Sequence, residues 1–135
     1  MKKHLLRISM LAALAAGVSQ AQSAQLTADV PFPFVLGNKM LPAGTYQVDE
    51  SAGSPAVILH AADGQNASVI ANPTTSARDQ KISKLVFQRY GDRYFLAEIW
   101  TRGTSSGRQI PRTSLERELS AGKSMPRTKV MVAAR

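Results

Sequence analysis

In several short stretches of this chain, hydrophobic and polar residues alternate with the period of two that belongs to β-strands. The richest is Lys84 to Thr101, KLVFQRYGDRYFLAEIWT, where two runs of aromatic and β-branched residues meet at Gly91-Asp92. Such residues suit a pleated, half-buried surface, and the Gly can take the positive φ of a two-residue type II′ turn, so the stretch predicts a β-hairpin. Counting outward pairs Tyr90 with Arg93, Phe87 with Leu96 and Leu85 with Glu98. One face then holds Leu85, Phe87, Tyr94, Leu96 and Trp100, and the other Val86, Tyr90, Phe95, Ala97 and Ile99. Both faces are apolar. The hairpin is therefore expected at the centre of the core, with a sheet or the C-terminal helix over its second face.

The same period runs through Gln25 to Leu36, QLTADVPFPFVL, with Leu26, Ala28, Val30, Phe32 and Phe34 on one parity and Pro31 and Pro33 on the other. Because proline cannot donate to a ladder, this strand is expected at a sheet edge or bulged at the prolines. Thr45 to Asp49 alternates again. Pro55 to Ala61 and Asn66 to Ala71 flank Asp63-Gly64, which predicts an antiparallel hairpin with a type I′ turn. Asn72 to Gln80 and Thr101 to Ile110 lack an apolar face and read as connecting loops, the best places to look for binding. After Pro111 the period changes. Thr113-x-x-Glu116 fits a capping box, and Leu115 with Leu119 gives a short stripe for a helix from Thr113 to Ala121 that docks through both leucines. Together these elements predict a mainly β fold, a small antiparallel β-sandwich or partly open β-barrel of six to seven strands with one short C-terminal helix.

The chain's start departs from this pattern. Lys2, Lys3 and Arg7 precede an apolar run, Ile8 to Val18, too short to span about 30 Å of hydrocarbon, and Ser19-Gln20-Ala21 offers small residues for cleavage after Ala21. That predicts a signal peptide over 1–21, one β-rich domain over 22–122 and a basic tail over 123–135, which either adds an edge strand through Lys129 to Val132 or stays disordered. The protein is then expected in the periplasm or outside the cell, with no transmembrane segment in the mature chain. With no Cys, the core has no disulfide staples and the chain has no thiolate chemistry.

Charge adds a direction. From Gln22 to Ser76 one base, Lys39, faces four acids, whereas from Ala77 to Arg135 thirteen bases face five acids. Such asymmetry points either to a solvated basic surface or to an anionic partner, and export turns attention from nucleic acid to a cell-envelope polymer or another exported protein. Arg102, Arg108, Arg112, Lys123 and Arg127 are the candidate contacts.

VPFPFVLGNKMLPAGTYQV, followed by LVFQRYGDRYFLAEIW and by GRQIP with LEREL, resembles a group of small exported proteins of unknown function common in acidobacterial genomes. The resemblance spans most of the chain after the leader. It implies export and a compact β domain, and it carries over no catalytic residues.

Catalytic and cofactor signatures are sparse. His60 is the only His after the leader, the carboxylates stand singly apart from Asp49-Glu50, and neither a G-x-S-x-G elbow nor a phosphate-cradling glycine loop occurs. A Ser-His-Asp set would have to draw on His60, Asp63 and Ser68. The expectation is a non-catalytic binding or structural domain without metal or cofactor. The alternatives are a hydrolase using two cleft carboxylates, and a carrier of a small apolar ligand in a cavity lined by Phe32, Phe34, Val57, Phe87 and Leu96.

Overall fold

The computed structural model describes residues 23–51, 53–122 and 126–135. The expected signal peptide lies outside the described residues, as does Lys123. The described chain forms β1 (Ser23–Val30), β2 (Phe34–Leu36), β3 (Lys39–Leu41), β4 (Gly44–Ser51), β5 (Ala56–Ala61), β6 (Asn66–Ile70), β7 (Asn72–Thr75), β8 (Ser83–Tyr90), β9 (Arg93–Trp100), β10 (Ser106–Gln109), α1 (Ser114–Ala121) and β11 (Arg127–Ala134). The strands make one nearly closed, barrel-like sheet in the order β3-β2-β9-β8-β11-β1-β4-β5-β6, with β10 bridging β9 and β7. The fold is thus mainly β with one short helix, as expected, but it has eleven strands rather than six or seven.

The prolines account for part of the excess. Pro31 and Pro33 do not sit in an edge strand; they end it. β1 stops at Val30 and lies centrally between β11 and β4, while β2 restarts at Phe34 beside β9, to which it runs parallel. Between them Phe32 turns into the barrel, stacked on Tyr94 at 3.8 Å between ring centroids and edge-on to Phe87 at 5.0 Å. Two further strands come from the stretches read as loops. β7 and β10 pair with each other from Asn72↔Gln109 to Thr75↔Ser106, and the main chain of Gln80 is bonded to Gly103 and Thr104. Neither strand carries an alternating apolar face, since backbone pairing rather than burial defines them.

The central hairpin forms with Gly91 at φ 62° and no positive φ at Asp92, consistent with the expected type II′ turn. Tyr90 pairs with Arg93 and Phe87 with Leu96, but Leu85 pairs with Ile99 rather than Glu98. A β-bulge opposite the Val86/Phe87 step inserts Ala97 as an extra residue in β9. Beyond it the parity reverses. Ile99 joins Leu85 in the barrel core, and Glu98 and Trp100 move to the outer face.

Inside, Leu26, Val48 and Leu59 stand in register across β1, β4 and β5. They join Phe34, Tyr46, Phe87 and Leu96 in one buried cluster. The five side chains considered for a ligand cavity are part of this packing: Phe34 and Phe87 lie 5.3 Å apart edge to face, with Val57 and Leu96 buried and Phe32 packed beside them. The Asp63-Gly64 connection is a three-residue loop, not a type I′ turn. Gly64 alone has positive φ, and its N–H bonds to the Ala61 carbonyl. The tail forms a strand over 127–134 that meets β1 only at its end, Ala134 opposite Ala28, so Lys129 to Val132 are paired on the β8 side alone, as an added strand was expected to be. Val130, Val132 and Ala134 pack on the barrel core, and β11 pairs with β8 along its whole length.

Trp100, 7% exposed, lies against β10, where a Cβ added at Gly107 would fall 2.5 Å from the indole Cε3. Trp100→Ala is expected to cost about 3–5 kcal/mol and Gly107→Ala about 1–3 kcal/mol in urea denaturation. Because the second cost is a clash with the first ring, the double variant should be less destabilised than the sum, and simple additivity would refute the contact.

Candidate functional site

The fold turns the charge asymmetry of the sequence into a spatial one. Asp29, Asp49 and Glu50 stand on β1 and β4 with no base, whereas β8 and β11 carry Lys84, Arg89, Arg127 and Lys129 with no acid and form a basic wall; β9 balances Arg93 with Glu98, and α1 sets Arg117 against Glu116 and Glu118. Among the described residues only two ion pairs form, and both use acids of the first half: Asp49 Oδ2 with His60 Nε2 at 2.6 Å, and Asp29 Oδ2 with Arg135 Nη1 at 3.1 Å. Lys84, Arg93, Arg112, Arg117 and Lys129 have no carboxylate at salt-bridge distance within the described structure.

The five arginines and lysines singled out in the sequence do not form one cluster. Arg112 and Arg127 converge, from the loop before α1 and from the start of β11, near the carboxyl of Glu116. Glu116 is 4% exposed on the docking face of α1, where its Oε1 accepts from the Tyr90 hydroxyl at 3.2 Å. Burial raises its pKa above the ordinary carboxyl value, and the Tyr90 hydroxyl and the two guanidinium groups oppose that rise. The helix is capped as expected by Thr113, whose Oγ1 accepts from Glu116 N–H at 3.1 Å. Its buried face is Glu116 and Leu119, however, with Leu115 left exposed. The capping box is half used, because the Glu116 side chain bonds to Tyr90 across the interface.

Arg108 points instead to the far end of the barrel, where Nη2 donates to the Ser54 carbonyl at 3.2 Å. There its charge opposes the rise that burial imposes on the Glu50 pKa. Arg102 is exposed on the turn after β9, its main-chain N–H bonded to Ser83 Oγ at 3.0 Å.

His60 is held on the outer surface of β5, with Nε2 on Asp49 and Nδ1 2.8 Å from Asn66 Oδ1. The bond to Asn66 contributes most to raising its pKa, and desolvation opposes it; Asp49 adds to the rise by hydrogen bonding and by charge. The ring is thus fixed from both nitrogens, by the carboxylate of Asp49 and the side-chain amide of Asn66. Asp63, the partner considered from sequence, accepts from Gln65 N–H instead. The pairing with Asp49 was missed because it crosses from β4 to β5, and only the register places the two side chains side by side.

A depression of about 340 Å³ lies between the β2–β3 turn and the start of α1, lined by Val35, Met40, Thr113 and Leu115 among others. Asp63 lines a smaller depression of about 160 Å³ with Pro42, Tyr46 and Ala61. Among the described residues no three His, Cys, Asp or Glu side chains converge, and no helix is long and apolar enough to cross a membrane. Comparison with protein-family models, curated proteins and solved structures finds no match to this chain.

Two titrations test the electrostatics. The His60 pKa is raised, so its charging should stabilise the fold fully below the ordinary value of 6.5 and cease to do so as pH rises through the folded value. An NMR titration should give a His60 midpoint above 6.5 that falls in Asp49→Asn; a wild-type midpoint at or below 6.5 would contradict the pairing. Glu116, also raised, favours the protonated fold, so stability is lost as pH climbs through its folded pKa. Urea denaturation of Glu116→Gln at about pH 3.5 and about pH 8 should show a gain over wild type confined to the higher pH.

Proposed function

We propose that this protein is an exported, non-catalytic β domain that binds an anionic partner at the cell envelope through its basic wall. The observation that carries the reading is the concentration on β8 and β11 of bases with no carboxylate at salt-bridge distance, while the ion pairs formed among the described residues use acids from β1 and β4. Like charges gathered on one side of a small domain repel one another, and an anionic surface relieves that repulsion while releasing its own counterions. The wall is built on paired strands, so its cations are presented from a rigid scaffold. An acidic polymer of the envelope, or an acidic exported protein, has the matching chemistry.

Purified envelope fractions should retain the protein at about 0.01 M salt, where the Debye length is about 30 Å, and release it at about 1 M, where it is about 3 Å. Absence of retention at the low salt would refute the reading.

A further inference from the structure

The outer face of β8 and β11 mixes charge with exposed hydrocarbon. Leu85 and Phe87 point into the barrel and Lys84, Val86 and Gln88 alternate onto the other side, opposite Ala133, Met131 and Lys129 of β11; Val86 and Gln88 are buried there, so the accessible part of this face is Lys84 with the outer side of β11. Met131 is 66% exposed, the highest value among the exposed large hydrophobic residues, and Ile82, just ahead of β8, is 52% exposed. Arg127 continues the stripe beyond Lys129. The carboxylate nearest in register is Glu98, opposite Val86, and its Oε2 is engaged by the Trp100 indole N–H at 2.9 Å. Asp79 stands in the loop before Lys81.

We infer that this face docks on the surface of an anionic lipid bilayer, with Lys84, Lys129 and Arg127 at the phosphate level and Met131 and Ile82 entering the boundary of the acyl chains. The inference rests on the anionic-partner reading above and names the partner. A dissolved polyanion satisfies the cations but leaves Met131 and Ile82 in water. A bilayer interface satisfies both, because it presents phosphate charge immediately above hydrocarbon. Arg127, Lys129 and Met131 share the outer side of β11 beside Lys84 of β8, with Ile82 in the bend that enters β8.

Flotation with phosphatidylglycerol/phosphatidylcholine vesicles tests it, using residues 23–135, which hold every described strand and the whole described core. Wild type should bind in proportion to the phosphatidylglycerol content. Lys84→Glu with Lys129→Glu should weaken binding about tenfold or more, given the attraction each base contributes near an anionic leaflet. Met131→Ser with Ile82→Ser, which leaves every charge in place, should weaken it by about threefold or more through lost apolar burial. Unchanged thermal melting of the variants separates these losses from unfolding. Vesicle binding that ignores either double variant overturns the inference. Retention on delipidated envelope polymer with none on vesicles overturns it too, while sparing the anionic-partner reading; failure on both vesicles and envelope removes the two together.

Discussion

A hairpin that is apolar on both faces has to be covered twice, and much of this fold follows from how that is done. On the inner side β8 and β9 give Leu85, Phe87, Leu96 and Ile99 to the barrel core. On the outer side Tyr90 and Phe95 join Val35 in a second buried cluster that Leu119 of α1 caps, and β10 lays Gly107 on Trp100. Burying an aromatic side chain contributes roughly 1.5–3 kcal/mol relative to leaving it in water. An eight-residue helix has too few internal hydrogen bonds to persist alone, so the helix depends on the hairpin as much as the hairpin on the helix.

The bulge at Ala97 distributes that covering. Without it Trp100 would enter the barrel and Ile99 would leave it, and the indole would have no Gly107 to lie upon. With it, one inserted residue puts a large ring outside where β10 can close over it and a medium-sized branched residue inside where space is shorter. The bulge also turns Glu98 outward together with Trp100, whose indole N–H donates to its Oε2.

Much of the fold was legible because alternation is a local property. The central hairpin, the β5–β6 pairing and the helix from its Thr113 cap to Gly122 all follow from period and turn chemistry. What was not legible depended on pairing at a distance. A bulge changes no residue type, so nothing in RYFLAEIW marks Ala97 as the inserted position. β7 and β10 have no apolar face because they pair chiefly through backbone. The tail illustrates the converse, since Val130, Val132 and Ala134 alternate as an inward face should, and the basic residues between them obscured a strand that packs on the core. Of the candidate site residues, Arg112 and Arg127 meet only because β11 pairs with β8 next to Tyr90; Arg108 belongs to the other end of the barrel.

Glu116 shows how the basic wall and the fold constrain each other. A carboxylate at the helix–sheet contact loses solvation, and the Tyr90 hydroxyl restores only one hydrogen bond to it. Arg112 and Arg127 offset a further part of that loss from the rim, where they stay exposed. A guanidinium so placed serves two demands. It offsets the desolvation of the buried acid, and it still presents unused N–H donors to the surroundings, because its planar fork carries five. An anion arriving at this rim would compete with Glu116 for the same cations, and protonation of Glu116 would free them.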